Sequence, residues 1–134
     1  MLPFTVALRP GASPYRQIVF AATKAIVAGE LEPGAAFPSV RELSQALKIN
    51  PNTAQKVITE LVRDGLLEVR PGIGTVVAAR WRGSPAERRA LLSTEVEQLV
   101  VEAKRLGLEE GDVLAAVSDR WAKLFGEKPL VRVR

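Results

Sequence analysis

Hydrophobic positions in this chain follow helical spacing over most of its length and give way to strand-like stretches in three short places. Ile18, Ala22, Ala25 and Ile26 share one face of a first predicted helix, which opens on Ser13-Pro14 and stops at Gly29. Serine suits an N-cap because its hydroxyl accepts an otherwise unpaired N–H, and proline suits the first helical position because it has no N–H to satisfy. Ser39-Val40-Arg41-Glu42 is a capping box, and it starts a short second helix with Val40, Leu43 and Leu47 on one side. Only Lys48 and Ile49 separate that helix from the next start signal, Asn50-Pro51. Ala54, Val57, Ile58 and Leu61 then recur at i, i+3, i+4 and i+7 until Asp64-Gly65. Two short capped helices joined by so tight a turn form a helix-turn-helix.

The strand-like stretches flank this unit. Leu2 to Leu8 alternates and is broken by Arg9-Pro10-Gly11-Ala12. Leu66 to Arg70, the turn Pro71-Gly72-Ile73-Gly74, and Thr75 to Ala79 read as a hairpin, placed where a wing follows a helix-turn-helix. Arg80 to Gly83 is the predicted linker. Ser84-Pro85-Ala86-Glu87 repeats the capping box and opens the longest helix, ending at Gly107, along which Leu92, Val96, Leu99, Ala103 and Leu106 keep the 4-3-4-3 spacing of packed helices. A last helix, about Glu109 to Phe125, carries Leu114, Val117, Trp121 and Leu124 at 3-4-3 spacing. Two such helices enclose no core alone, so they cover their own chain or a second copy. The fold class predicted is mainly α with a small β hairpin: a winged helix-turn-helix over residues 1 to 83, then a two-helix segment over residues 84 to 134. Trp81 falls at the junction, where packing between the two parts explains it better than a ligand does, and Trp121 belongs to the last stripe.

Charge sharpens this picture. Residues 1 to 83 hold ten Lys and Arg against six Asp and Glu, whereas residues 84 to 134 hold nine of each, so the net +4 lies entirely in the first part. A localised positive excess is the footprint of a polyanion binder. The 134 residues include no cysteine and no histidine, which removes disulfides, thiolate zinc sites, thiol nucleophiles and the usual general base near neutral pH. Adjacent carboxylates such as Glu109 and Glu110 point apart on a helix. An enzyme is therefore not expected, and no cofactor or metal is implied. Charged residues interrupt every long apolar run, and Met1 to Leu8 lacks the order of an export signal, so a cytoplasmic protein is expected.

From Ser13 to Val77 the chain resembles the DNA-binding domain of the GntR family of bacterial regulators. The residues that carry the resemblance are Pro14-Tyr15-x-Gln17-Ile18, Gly29-x-Leu31-x-Pro33-Gly34, Phe37-Pro38-Ser39-Val40-Arg41-Glu42-Leu43, Asn52-Thr53, Gly65-Leu66-Leu67 and Gly72-x-Gly74-Thr75. Ile49-Asn50-Pro51-Asn52-Thr53 and the short tail are similar to the YtrA subfamily, since the larger ligand-binding domains of other branches do not fit after the wing. The resemblance implies a homodimeric, repressor-type regulator binding double-stranded DNA. It also implies DNA contacts at Arg41, Thr53 and Gly72. Pro51 and Gln55 stand where many members carry arginines, so the base-reading pattern differs here.

The residues themselves supply a matching chemistry. With the apolar set buried, Asn52, Thr53, Gln55, Lys56 and Thr59 face outward on the helix that follows the tight turn. Asn and Gln pair bidentately with adenine, Thr meets a thymine methyl, and Lys neutralises phosphate. A merely solvated polar face is the plainer alternative. Asn50 is read as a cap rather than a contact. Arg41 lies in the first turn of its helix, where the dipole disfavours a cation and an outside anion compensates. Gly72 and Gly74 let backbone approach a groove wall, though hairpin geometry alone also accounts for them; the Lys-Ser/Thr of a phosphate loop is missing. Arg70, Arg80 and Arg82 are candidate phosphate contacts. Dimerisation is assigned to Leu92, Val96, Leu99, Ala103, Leu106, Leu114, Val117, Trp121 and Leu124. A protein-interaction scaffold that binds no DNA is the competing function, and the sequence names no small-molecule effector.

Overall fold

Ser13 Oγ accepts the Arg16 amide at 3.3 Å and Pro14 takes the first helical position, so α1 (Pro14–Val27) begins where its cap chemistry places it. α2 (Val40–Leu47) carries the reciprocal cap: Glu42 N–H donates to Ser39 Oγ at 3.1 Å, and Ser39 N–H donates to Glu42 Oε1 at 2.8 Å. α3 (Pro51–Arg63) starts at Asn50, whose Oδ1 accepts the Asn52 amide at 2.7 Å. Lys48 makes the tight turn by adopting left-handed backbone, φ 54° and ψ 51°, and Ile49 then drops onto the core. Few side chains tolerate that backbone region.

The computed structural model describes residues 2–126 and divides between Gly83 and Ser84 into two compact units. In the first, α1 and α2 both pack on α3, and β1 (Leu67–Arg70) leans on α3 as well. Buried Ile18, Ala22, Ala25 and Ile26 of α1 meet Leu43 of α2, Ala54, Val57, Ile58 and Leu61 of α3, and Leu67 and Val77 of the hairpin. β2 (Gly74–Val77) runs antiparallel to β1, with Leu67 opposite Val77 and Arg70 opposite Gly74. On its other edge β2 forms a bridge through Ala36 and Val76, where Phe37 N–H donates to the Thr75 carbonyl at 2.9 Å. The hairpin is shorter than its apolar pattern suggests, because Leu66 and Ala78 are buried just outside the ladder.

The strand expected over Leu2 to Leu8 is not formed; those residues pair with no neighbouring strand. Their alternation still has a physical origin. Leu2, Phe4, Val6 and Leu8 pack on the core, and the Phe4 ring stacks on Phe37 at 5.7 Å between centroids. Turning every second side chain inward writes a strand pattern even where no backbone is available to pair with. Gln17 fastens the end of the segment: its Oε1 accepts the Arg9 amide at 2.8 Å and its Nε2 donates to the Arg9 and Ala12 carbonyls.

In the second unit, α4 (Pro85–Ala90) and α5 (Val96–Arg105) are joined without a break by a π-helical turn, Leu91–Glu95. The uninterrupted α-helix expected up to Gly107 is thereby corrected. Within the π turn Ser93 Oγ donates to the Arg89 carbonyl at 2.7 Å, the i to i−4 back-bond that often bends helices. One extra residue in a turn rotates what precedes it by about 100° relative to regular α spacing. Gly107, at φ +82°, ends this helix, and α6 (Glu110–Phe125) completes the unit. Among the described residues no helix is long and apolar enough to cross a membrane.

Candidate nucleic-acid interface

The buried stripe of α3, Ala54, Val57, Ile58 and Leu61, fixes which side of the helix is left outside. Asn52, Gln55, Lys56 and Thr59 are all exposed on that side, and Thr53 is half-buried at its border. Gln55 Nε2 donates to Thr59 Oγ1 at 3.2 Å, one helical turn on. That bond uses one N–H of the amide and leaves its carbonyl oxygen and second N–H without a partner among the described residues, the pair of groups that adenine N7 and N6 complement. Lys56 makes no ion pair among the described residues.

Electrostatics keep this face free of carboxylate. Glu60, the acid nearest to it on α3, is turned to the flank, where its Oε1 accepts from Arg63 Nη1 at 2.6 Å and from the Tyr15 hydroxyl at 3.2 Å. Burial, and then the neighbouring Glu60 charge, push the Tyr15 phenol above its ordinary value. Asn50, with its oxygen bonded to the Asn52 amide, is a cap.

Arg41 occupies the second position of α2, exposed and without an ion pair among the described residues. A cation there opposes the helix dipole unless an anion outside the protein answers it. In the hairpin, Ile73 N–H donates to the Arg70 carbonyl at 3.0 Å, so Arg70-Pro71-Gly72-Ile73 is a closed turn with Gly72 at φ +77°. Gly72 and Gly74 are exposed, and a Cβ at either would meet nothing within 4 Å. Neither glycine is needed to avoid a clash; backbone conformation alone asks for them. Arg70 Nε lies 3.4 Å from Glu68 Oε1, a loose contact between half-exposed side chains. Arg80 and Arg82 are exposed in the stretch before Ser84.

In the second unit, an open apolar groove of about 1140 Å³ runs between α5 and α6. Val96, Leu99, Ala103, Leu114, Val117 and Trp121 line it. Ala103 is buried, at 6% exposure, while the larger side chains stand open. Leu92 does not join them: it sits within the π turn at 72% exposure, because the rotation there carries it off the stripe. Leu106 and Leu124 also lie outside the lining. Val100, Leu108 and Val113 line the groove without having been singled out from the sequence. Their positions beside the heptad stripe were the available signal. The Tyr15 to Glu60 bond, spanning 45 residues, left none.

A helix-turn-helix with an exposed polar second helix, an unpaired arginine at the head of the first, and a hairpin beside them defines the winged helix-turn-helix class of DNA-binding regulators. Residues 14–77 match the family described as bacterial regulatory proteins, gntR family. The chain is 32% identical over 96 residues to the HTH-type transcriptional repressor YtrA of Bacillus subtilis, which covers 71% of this chain and 74% of that protein. It is 35% identical over 103 residues to the HTH-type transcriptional regulator YhcF of the same organism, covering 77% and 85%. A crystal structure of a transcriptional antiterminator from Listeria monocytogenes shares the fold, with a TM-score of 0.80, 24% identity, and coverage of 96% of this chain and 97% of that one. The chain belongs to the GntR family and is a transcriptional regulator with a DNA-binding domain.

Proposed function

We propose that this protein represses transcription as a homodimer seated on a two-fold symmetric operator, in the cytoplasm where the chromosome lies. Each subunit places α3 in a major groove. Asn52 and Gln55 read bases there, Thr53 and Thr59 contact thymine methyls or backbone, and Lys56 and Arg41 neutralise phosphates. Arg70, Gly72 and Gly74 bring the hairpin to the duplex. The observation that carries this reading is the α3 face itself: four exposed polar side chains, with no carboxylate among them.

Dimerisation falls to the tail. A groove of this size, lined by Leu99, Val117 and Trp121, leaves apolar surface in water that a second copy would cover, and two-fold association would place the two α3 helices about one DNA turn apart. The repressor assignment is supported by the name of the Bacillus subtilis relative. Selecting duplexes from a random pool with the full chain tests the proposal: a palindromic consensus is expected, whereas recovery of unselected sequence would reject it.

A further inference from the structure

Residues 1 to 29 hold three cations, Arg9, Arg16 and Lys24, and no Asp or Glu, whereas residues 30 to 83 hold seven Lys and Arg against six Asp and Glu. Most of the positive excess of the first unit thus lies outside α2, α3 and the hairpin, and the DNA contacts proposed above leave it unused. The fold gathers it in one place. Arg9, Arg16 and Lys24 line a shallow cavity of about 520 Å³ between α1 and the segment before it, together with Phe20. No residue of α3 or of the hairpin lines it, and no carboxylate does. All three cations are exposed, and none forms an ion pair among the described residues.

Helix geometry fixes how these groups stand. At about 100° per residue, Arg16 and Phe20 each lie about 160° around α1 from buried Ile18, and Lys24 lies as far from buried Ala22. The face is therefore turned from the core that α1 shares with α3. Steps of four residues put a cation, a ring and a cation on one stripe, with the two charges about 12 Å apart along the axis. Phe20, in the middle, is 65% exposed, although phenylalanine is among the residues most often buried. The opposite wall is held in place by the Gln17 bonds to the Arg9 and Ala12 backbone.

A phosphate backbone gains nothing from an open ring, and a purely apolar partner gains nothing from three charges. An aromatic centre within a charged rim is the plan of a protein interface, where the buried anchor carries the energy and the rim charges steer and fix register. We infer that the outer face of α1 docks an acidic protein segment, which sets an apolar side chain on Phe20 between carboxylates that meet Arg16 and Lys24. Arg9 strengthens the same field. A partner seated there leaves the α3 face uncovered, so the regulator holds it and a duplex together.

The probe is a synthetic helical peptide with Glu, Leu and Glu at four-residue steps, and its control carries Ser in place of Leu. Each is titrated into the isotope-labelled full chain and followed by amide shifts. The Leu peptide is expected to move the signals of Arg16, Phe20 and Lys24 and to bind about tenfold more tightly than the control. Phe20→Ser is expected to erase that difference, and Lys24→Gln to weaken both peptides alike; both positions are exposed. A random-sequence duplex in excess is expected to leave the peptide in place. Equal behaviour of the two peptides, absence of binding included, overturns the inference, and so do shifts centred on Lys56 instead of Phe20. Displacement by the duplex overturns it too, by making the face a nucleic-acid contact. A sedimentation change in Phe20→Ser overturns it by making a second copy the occupant.

Discussion

The Tyr15 hydroxyl of α1 donates to Glu60 Oε1 of α3 at 3.2 Å, and Arg63 holds the same oxygen from the other side. A carboxylate on α3 is thus turned to the flank and answered by two donors, while the helix that carries it is tied to α1. On the proposed reading of α3 the tie bears on binding as well as packing, because a free Glu60 would add negative charge next to Lys56 and Thr59.

That contact has a signature in pH. The Tyr15 phenol titrates above its ordinary value, first because it is half-buried and then because Glu60 is near. The unfolded chain therefore releases this proton first, so the contribution is complete below about pH 10 and declines as pH rises beyond it. Tyr15→Phe is expected to flatten the alkaline loss of stability, read as urea midpoints between pH 9 and pH 11. An unchanged alkaline slope would mean that the phenol does not couple to folding.

The Ser39 cap sets where α2 begins and so where Arg41 points. Ser39→Ala removes the acceptor of the Glu42 amide and is expected to cost about 1 kcal/mol, a fall in Tm of roughly 4–8 °C for a unit of this size. Thermal melts check it. Ser39→Asp, which restores an N-cap oxygen, should recover most of the loss.

In the groove of the second unit, Leu99→Glu sets a carboxylate among apolar neighbours. If a second copy covers that groove, the substitution costs several kcal/mol of association and raises the dimer Kd by roughly a hundredfold or more. Val101→Glu, on the same helix but outside the lining, serves as the comparison and should leave the dimer intact. Sedimentation equilibrium distinguishes them; dimers of equal strength in both variants would place the interface elsewhere.

Capping chemistry was the most legible part of this chain. Ser13-Pro14, Ser39 with Glu42, Asn50-Pro51 and Ser84 with Glu87 each start a helix at the expected residue, because a cap needs only its own neighbours. The outward face of α3 followed from the same local logic. What escaped depends on partners that local pattern cannot see. Leu2 to Leu8 alternates like a strand, yet it joins no sheet among the described residues. The stripe through Leu92 assumed α geometry, and the π turn over Leu91–Glu95 rotates it away. The Tyr15 to Glu60 tie joins two helices whose separation in sequence hides it.

Whether the Asn52 to Thr59 face of α3 reads DNA is decided by titrating a selected operator and a scrambled duplex against Gln55→Ala and Lys56→Ala over a range of salt. Gln55→Ala is expected to lose about 1–3 kcal/mol on the operator alone and to relax base preference without altering the salt slope. Lys56→Ala is expected to weaken both duplexes alike and to lower the slope by about 1. A Gln55→Ala protein that binds its operator as tightly and as selectively as the parent would contradict that reading.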